Sequence, residues 1–328
     1  MRAERLSHRE VELPDAVKRL QRQAPTFALE QVGRISLALR QVAGREVIDL
    51  EAMMAVVQFL SNQADLARRD EFAVDEFGFD ADYTEALLPI FRWIYHRYWR
   101  VEATGITHVP VDGRALLVSN HAGVLPWDGA MIKTSFFEDH PAPRHVRALV
   151  ATFFFGLPVL SWFLRRTGQT VGHPDDAHRL LERDELVLVF PEGVNGTGKG
   201  WGNRYRLRRF GRGGYVQTAI RARAPIIPIS VVGSEEIYPM IADFQPLANA
   251  LGLPYFPITP FFPLLGPVGM VPLPSKWRIE FHEPVRTDLC APGDAEDQRL
   301  VMSLNDHVRD TIQAGLLRNV QLRKGVFF

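Results

Sequence analysis

Cysteine is almost missing from this chain: Cys290 is the only one in 328 residues. One thiol excludes an intramolecular disulfide and any cysteine-built zinc set, and it fits a reducing compartment. Net charge is missing as well, since 38 Lys and Arg balance 38 Asp and Glu. No overall field then draws the chain to nucleic acid or to an anionic surface, and any anion site has to be a local cluster. No nucleic-acid partner and no metal are expected. The charged opening Met1-Arg2-Ala3-Glu4-Arg5 lacks the apolar core of a signal peptide, so the expected compartment is the cytoplasm. Long spanning runs are absent too. The uncharged stretch 148–164 is short and is broken by Gly156-Leu157-Pro158. A longer one, 246–274, carries eight prolines, which remove backbone donors and exclude an ordinary transmembrane helix. That run is expected to be an apolar surface that touches lipid; its part 257–273, and Phe153-Phe154-Phe155 ahead of Gly156, read as the lining of an apolar tunnel or as interfacial surface, the phenylalanine triad equally as buried core.

What the chain has is enough length for one large domain, or for a catalytic domain with a smaller appendage. Residues 1–98 read as a helical region. Met53, Val56, Val57, Leu60 and Ala64 fall on one helical face, and earlier helices are expected over 15–23 and 29–42. A helix over 83–99, kinked at Pro89, carries Phe91, Trp93, Tyr95, Tyr98 and Trp99 interleaved with Arg92, Arg97 and Arg100. That composition suits a membrane interface and suits packing against the next domain equally. From residue 99 to 328 strand and helix signals alternate, with strands expected at 115–119, 146–151, 186–190, 226–232 and 277–282. The expected fold is α/β, a mostly parallel central sheet flanked by helices. A last helix is expected over 297–317, with Val301, Leu304, Val308 and Ile312 at helical spacing.

Chemistry concentrates just after two of these strands, where open α/β sheets bind ligands. Ser119-Asn120-His121 follows the first, with Asp128 later in the same loop. A histidine with a carboxylate in reach has the parts of a general base and its orienter: the carboxylate takes one ring N–H and leaves the other nitrogen free for a proton. Asp128 reads equally as the N-cap of a helix through Gly129-Ala130-Met131-Ile132. The second run, Phe190-Pro191-Glu192-Gly193, leads into Asn195-Gly196-Thr197-Gly198-Lys199-Gly200, a glycine-rich loop of the kind that cradles phosphates or carboxylates. Arg204, Arg206 and Arg208 follow, with Arg209 and Arg212 beyond. In extended backbone the first three share a side, near Lys199, and form a candidate phosphate clamp; a solvated basic face is the alternative.

The pair N-H-…-D and F-P-E-G, about seventy residues apart, resembles the glycerolipid acyltransferases related to lysophosphatidic acid acyltransferase. The similarity covers roughly 99–283. The runs F-P-E-G-V-N-G-T-G-K, R-Y-R-L-R-R-F-G-R-G-G-Y and A-P-I-I-P-I-S-V-V-G-S-E-E-I-Y-P most resemble the branch near monoacylglycerol and diacylglycerol acyltransferase homologues. The resemblance implies that His121 is the general base and Asp128 its partner. It implies that Asn120, Gly123, Glu192, Gly193, Lys199, Arg204, Arg206 and Arg208 bind substrate or shape its pocket. No cofactor is implied beyond the acyl thioester, on CoA or on acyl carrier protein; the acceptor is a lipid hydroxyl, and the setting is the cytoplasmic face of a membrane. A thioesterase and a decayed lipid-binding or tethering protein are the alternatives. Three departures stand out. Six residues separate His121 from Asp128, two more than the family's usual interval, so the loop has to bulge. Asn195 stands where the family's F-P-E-G motif carries an arginine, with Arg204 or Lys199 as its replacement. Gly168-Gln169-Thr170-Val171 also lacks the arginine of the corresponding motif.

Overall fold

The structure is a computed structural model, and it describes residues 73–156 and 158–327. The helices expected before residue 65 lie outside the described residues. In chain order the elements are α1 (Ala81–Trp93), continued by a π-helical turn Ile94–Tyr98, β1 (Glu102–Thr104), β2 (Ala115–Ser119), α2 (Trp127–Glu138), β3 (Val146–Val150) and α3 (Pro158–Arg166). Then come β4 (Gln169–Val171), α4 (Pro174–Glu182), β5 (Leu186–Val189), the single turn α5 (Val194–Thr197), α6 (Gly214–Arg221) and β6 (Ile226–Val232). A small hairpin of β7 (Ala242–Asp243) and β8 (Pro257–Ile258) encloses α7 (Gln245–Leu251), and β9 (Arg278–Phe281) and α8 (Gln298–Leu322) close the chain.

Contacts divide the chain into two compact units, Met1–Ile90 with Thr152–Thr167, and Phe91–Ala151 with Gly168–Phe328. In the described part of the first, Asp80 accepts from Tyr83 N–H at the start of α1 and pairs with buried Arg166 at 3.0 Å. The Arg166 guanidinium lies 4.9 Å from the Trp162 ring, which meets Tyr83 edge-on. An arginine so placed satisfies its charge and buries its flat face together. Phe153, Phe154 and Phe155 belong to this unit.

The second unit holds a seven-stranded sheet in the order β1-β9-β6-β2-β5-β3-β4. β2, β3, β4, β5 and β6 run parallel. β2 and β5 are buried along their whole length, as unbroken apolar runs covered on both faces require. β9 is antiparallel to β6, and β1 pairs parallel with β9. No helix returns the chain to the amino ends between β6 and β9, so it re-enters the sheet from the side it left. β1 and β4 are three residues each, too short to register as alternation in the sequence. Asp297 caps α8 by accepting from Arg299 and Leu300 N–H; Val301, Val308, Ile312 and Leu316 of this helix are buried.

The aromatic segment resolves in favour of packing at its carboxyl end. Tyr95 and Trp99 are buried in the core, with Trp99 stacked on Trp277 at 4.7 Å. The half-exposed side chains of Arg92 and His96 both bond Glu138.

Candidate active site

β2 lies between β5 and β6, so the carboxyl ends of these three strands sit side by side. Chain order reverses there, since β3 and β4 lie beyond β5 while β6 adds on the other side. A crevice outside the strands is the geometric consequence. His121, Glu192 and Glu235 follow the three strands within a few residues each.

His121 Nδ1 is 2.7 Å from Asp128 Oδ2, and the ring stacks on Phe190 with centroids 4.1 Å apart. Among the described residues Nε2 has no partner. The side chain is 13% exposed against 0% for Asp128, so the carboxylate is screened from water while the ring keeps one reachable edge. Asp128 Oδ2 also accepts from Ala122 N–H at 2.9 Å, and Oδ1 from Gly129 N–H at 2.8 Å. It therefore holds the ring and serves the first turn of α2 together, although Pro126 occupies the N-cap position. The two extra residues are absorbed in a bend before the helix. Gly123 adopts φ +83°, and a Cβ there would stand 2.7 Å from Ser234 O. Tyr255 donates its hydroxyl to Val124 O at 2.8 Å; burial pushes that phenol's pKa up, which keeps it a donor.

Glu192 works on the other side of the histidine. Oε1 accepts from His121 N–H at 3.0 Å, and Oε2 accepts from Arg208 N–H at 2.5 Å and from Lys199 Nζ at 3.4 Å. Lys199 in turn reaches Glu235 Oε1 at 3.0 Å and Arg206 O at 3.3 Å. The side chains of Lys199 and Glu192 are 3% and 0% exposed, so the ammonium is enclosed by two carboxylates and a carbonyl and does not reach toward an outside phosphate. Burial raises the Glu235 pKa, with Lys199 opposing it. Gly196 completes the join between the two motifs: a Cβ there would lie 2.7 Å from His121 O and 2.8 Å from His121 Cβ. Gly193, exposed, takes φ +55° and turns the chain out of β5.

The remaining expected residues divide. Asn120 is buried and exchanges two hydrogen bonds with Val231, donating to its O at 3.0 Å and accepting from its N–H at 2.8 Å. Its carboxamide ties the histidine loop to β6. Arg204 lies 4.4 Å from the Trp201 ring and donates to Trp201 O. Tyr205 has φ +62°, so the extended alternation expected over Arg204, Arg206 and Arg208 is broken between the first two. Arg206 and Arg208 are exposed, with buried Leu207 between them, and neither guanidinium has a partner among the described residues. A pocket beside these groups is lined by Gly123, Val124, Trp201, Arg204, Tyr238 and Met240, among others.

Phe190, Gly196, Glu235 and Tyr255 also shape the site. Gly196 belongs to the glycine-rich loop already legible in residue order, whereas Tyr255 carries no signal at its distance along the chain.

The family model described as "Acyltransferase" matches residues 100–232. Proteins of Mycobacterium bovis and Mycobacterium tuberculosis, each described as uncharacterized, are 52% identical over 259 residues, 79% of this chain and 72% of theirs. A Mycobacterium leprae protein of the same description is 51% identical, over 79% of this chain and 71% of its own. The crystal structure of the 1-acyl-sn-glycerophosphate (LPA) acyltransferase PlsC from Thermotoga maritima superposes with a TM-score of 0.48 at 15% identity, covering 84% of this chain and 98% of that one.

Proposed function

The chain belongs to the acyltransferase family, and on that footing we propose that it moves a fatty acyl group from a thioester, on CoA or acyl carrier protein, to a hydroxyl of a glycerolipid or related lipid alcohol. The observation that carries this reading is the 2.7 Å contact between His121 Nδ1 and Asp128 Oδ2, with Nε2 unpartnered. A carboxylate on Nδ1 fixes the tautomer that leaves Nε2 as the base and stabilises the imidazolium once it forms.

In the proposed step Nε2 takes the acceptor's hydroxyl proton as the oxygen attacks the thioester carbonyl. The tetrahedral intermediate then collapses, the C–S bond breaks, and the imidazolium returns its proton to the leaving thiolate. Ester and thiol are the products, and no acyl-enzyme forms. The oxyanion needs donors that are in place beforehand. The N–H groups of His121, Ala122 and Gly193 are already bonded to Glu192, Asp128 and Phe190. Gly123 and Val194 N–H have no acceptor among the described residues, and they take the role here. Arg206 and Arg208 are the guanidinium groups free to meet a phosphate, replacing Lys199 and Arg204 in the clamp.

The test is a panel of labelled acyl-CoA and acyl carrier protein donors against lysophospholipids and acylglycerols. Ester product that depends on the acceptor is the expected result. Free fatty acid released at the same rate without acceptor would mean that water is the nucleophile and the enzyme a thioesterase.

A further inference from the structure

We propose that the apolar knob between Ile241 and Val271 docks this enzyme onto an anionic lipid bilayer, beside the mouth of the site; this rests on the reading that the acceptor is a lipid. More than half of the exposed large apolar side chains among the described residues fall in this one stretch: Ile241, Phe244, Leu251, Phe261, Leu264, Leu265, Val268 and Val271. Leu264 is 83% exposed. A soluble surface rarely gathers such a patch without a partner for it. Asp243 is the only charged residue from 241 to 275. It is exposed, with its carboxylate accepting from Phe256 N–H and from the Gln245 side chain.

The knob is held in shape rather than left loose. Thr259 N–H donates to Phe262 O, and Thr259 Oγ1 accepts from Phe262 N–H. Leu265 N–H donates to Phe261 O and Gly266 N–H to Pro263 O. Gly269 packs so closely that a Cβ would stand 2.4 Å from Phe261 O. Backbone polar groups thus bond one another while the apolar side chains face out, which is what immersion in the acyl boundary requires of a loop.

Two observations choose a bilayer over a soluble partner. The base of the knob is tied to the catalytic loops: Tyr255 holds Val124 O, Tyr238 holds Met270 O, and Trp201 N–H donates to Met240 O, the residue before Ile241. The other is the charge beside it. Trp201 carries Arg204 on its ring, and Arg206 and Arg208 follow with exposed, unpartnered guanidinium groups. Apolar groups flanked by arginines and an interfacial tryptophan match acyl chains flanked by anionic headgroups.

The experiment is flotation of the full chain with vesicles of phosphatidylglycerol and phosphatidylcholine, and with phosphatidylcholine alone. Wild type is expected to float with the anionic vesicles and more weakly with the neutral ones. L264D/L265D is expected to lose at least about tenfold in partitioning while still acylating an acceptor dispersed in detergent. Should that variant fail to fold, Val268→Asp, at a position 69% exposed, gives the same reading. Wild type that stays unbound, or an aspartate variant that floats like wild type, overturns the proposal. So does a wild-type dimer that the variant turns into monomer, because the knob's occupant is then a second copy. His121→Ala has to float like wild type. Flotation with no transfer to any lipid would remove the acyl-transfer reading and leave the docking surface standing, whereas transfer without flotation would do the reverse.

Discussion

The two loops that meet at His121 each bring one buried carboxylate, and they put it to different uses. In the loop after β2, Asp128 bonds the imidazole ring itself at Nδ1. In the loop after β5, Glu192 bonds the histidine's backbone N–H and passes on to Lys199 and Arg208. One carboxylate touches the group that would change charge during a reaction; the other touches only groups that keep theirs. Burial and proximity alone do not mark a residue as part of the chemistry, and the atom it contacts is what separates the two roles.

The largest effect expected from this division is at His121, the proposed base. His121→Ala should lower kcat by about 10³-fold or more with the melting temperature little changed, since proton transfer of this kind is commonly worth about 10²- to 10⁴-fold; wild-type turnover in that variant would remove the histidine from the mechanism. Next comes the comparison itself. Asp128→Asn should cost about 10²-fold or more in kcat, because an amide no longer fixes the ring's tautomer or stabilises its charged form. Glu192→Gln should cost mainly stability, about 1–3 kcal/mol, with Lys199 keeping Glu235 as its counter-ion. Denaturation curves and the pH profile of kcat for both variants decide it: if Glu192→Gln moves the pH profile as far as Asp128→Asn does, the two carboxylates share one role. Gly196→Ala is a smaller, steric probe of the joint between the loops. Its Cβ has no room beside His121, and overpacking of this sort costs about 1–3 kcal/mol, so turnover and stability should fall together. An unchanged kcat would mean that the join has slack.

The smallest effect concerns α2, the helix that carries Asp128. Burial, with the charge of Arg147 added, pushes the Lys133 pKa down to about 7 from its ordinary 10.5. Between those values the unfolded chain still holds a proton that the folded chain has released. This contribution to stability therefore rises with pH through that window, by at most about 1.4 kcal/mol per pH unit, and below pH 7 the penalty is complete. Lys133→Met should flatten that rise and raise the melting temperature at pH 7. Parallel stability curves for variant and wild type from pH 7 to 10 would show that the lysine is neutralised some other way.

Much of the architecture was legible from residue order. β2 and β6 fall where their unbroken apolar runs place them, and β3 and β5 end one residue short of expectation, because a run buried on both faces has no other stable setting. β9 was foreseen as a strand but not as one running against its neighbour, since direction depends on where the connecting chain travels. The candidate site was half legible. His121 and Asp128 stood out because one loop holds both, and the F-P-E-G run stood out because it ends a strand. The parts played by Lys199 and Asn120 are not legible in residue order: their partners, Glu235 and Val231, come from the turn after β6 and from β6 itself, which sequence distance does not bring near. The 83–99 segment shows the same limit, since nothing local separates an interfacial tryptophan from Trp99 stacked on Trp277.

The sequence by itself determined the α/β class, the succession of buried strands, and the presence of a histidine, two carboxylates and an uncharged proline-rich run near the strand ends. These follow from local apolar patterning and residue chemistry, which need no knowledge of the rest of the chain. The tertiary structure alone decided which carboxylate meets the ring, which cations are enclosed and which stay free, and that the proline-rich run presents its side chains outward. Each of those depends on contacts between segments tens of residues apart, and such contacts are set by the order of strands in the sheet.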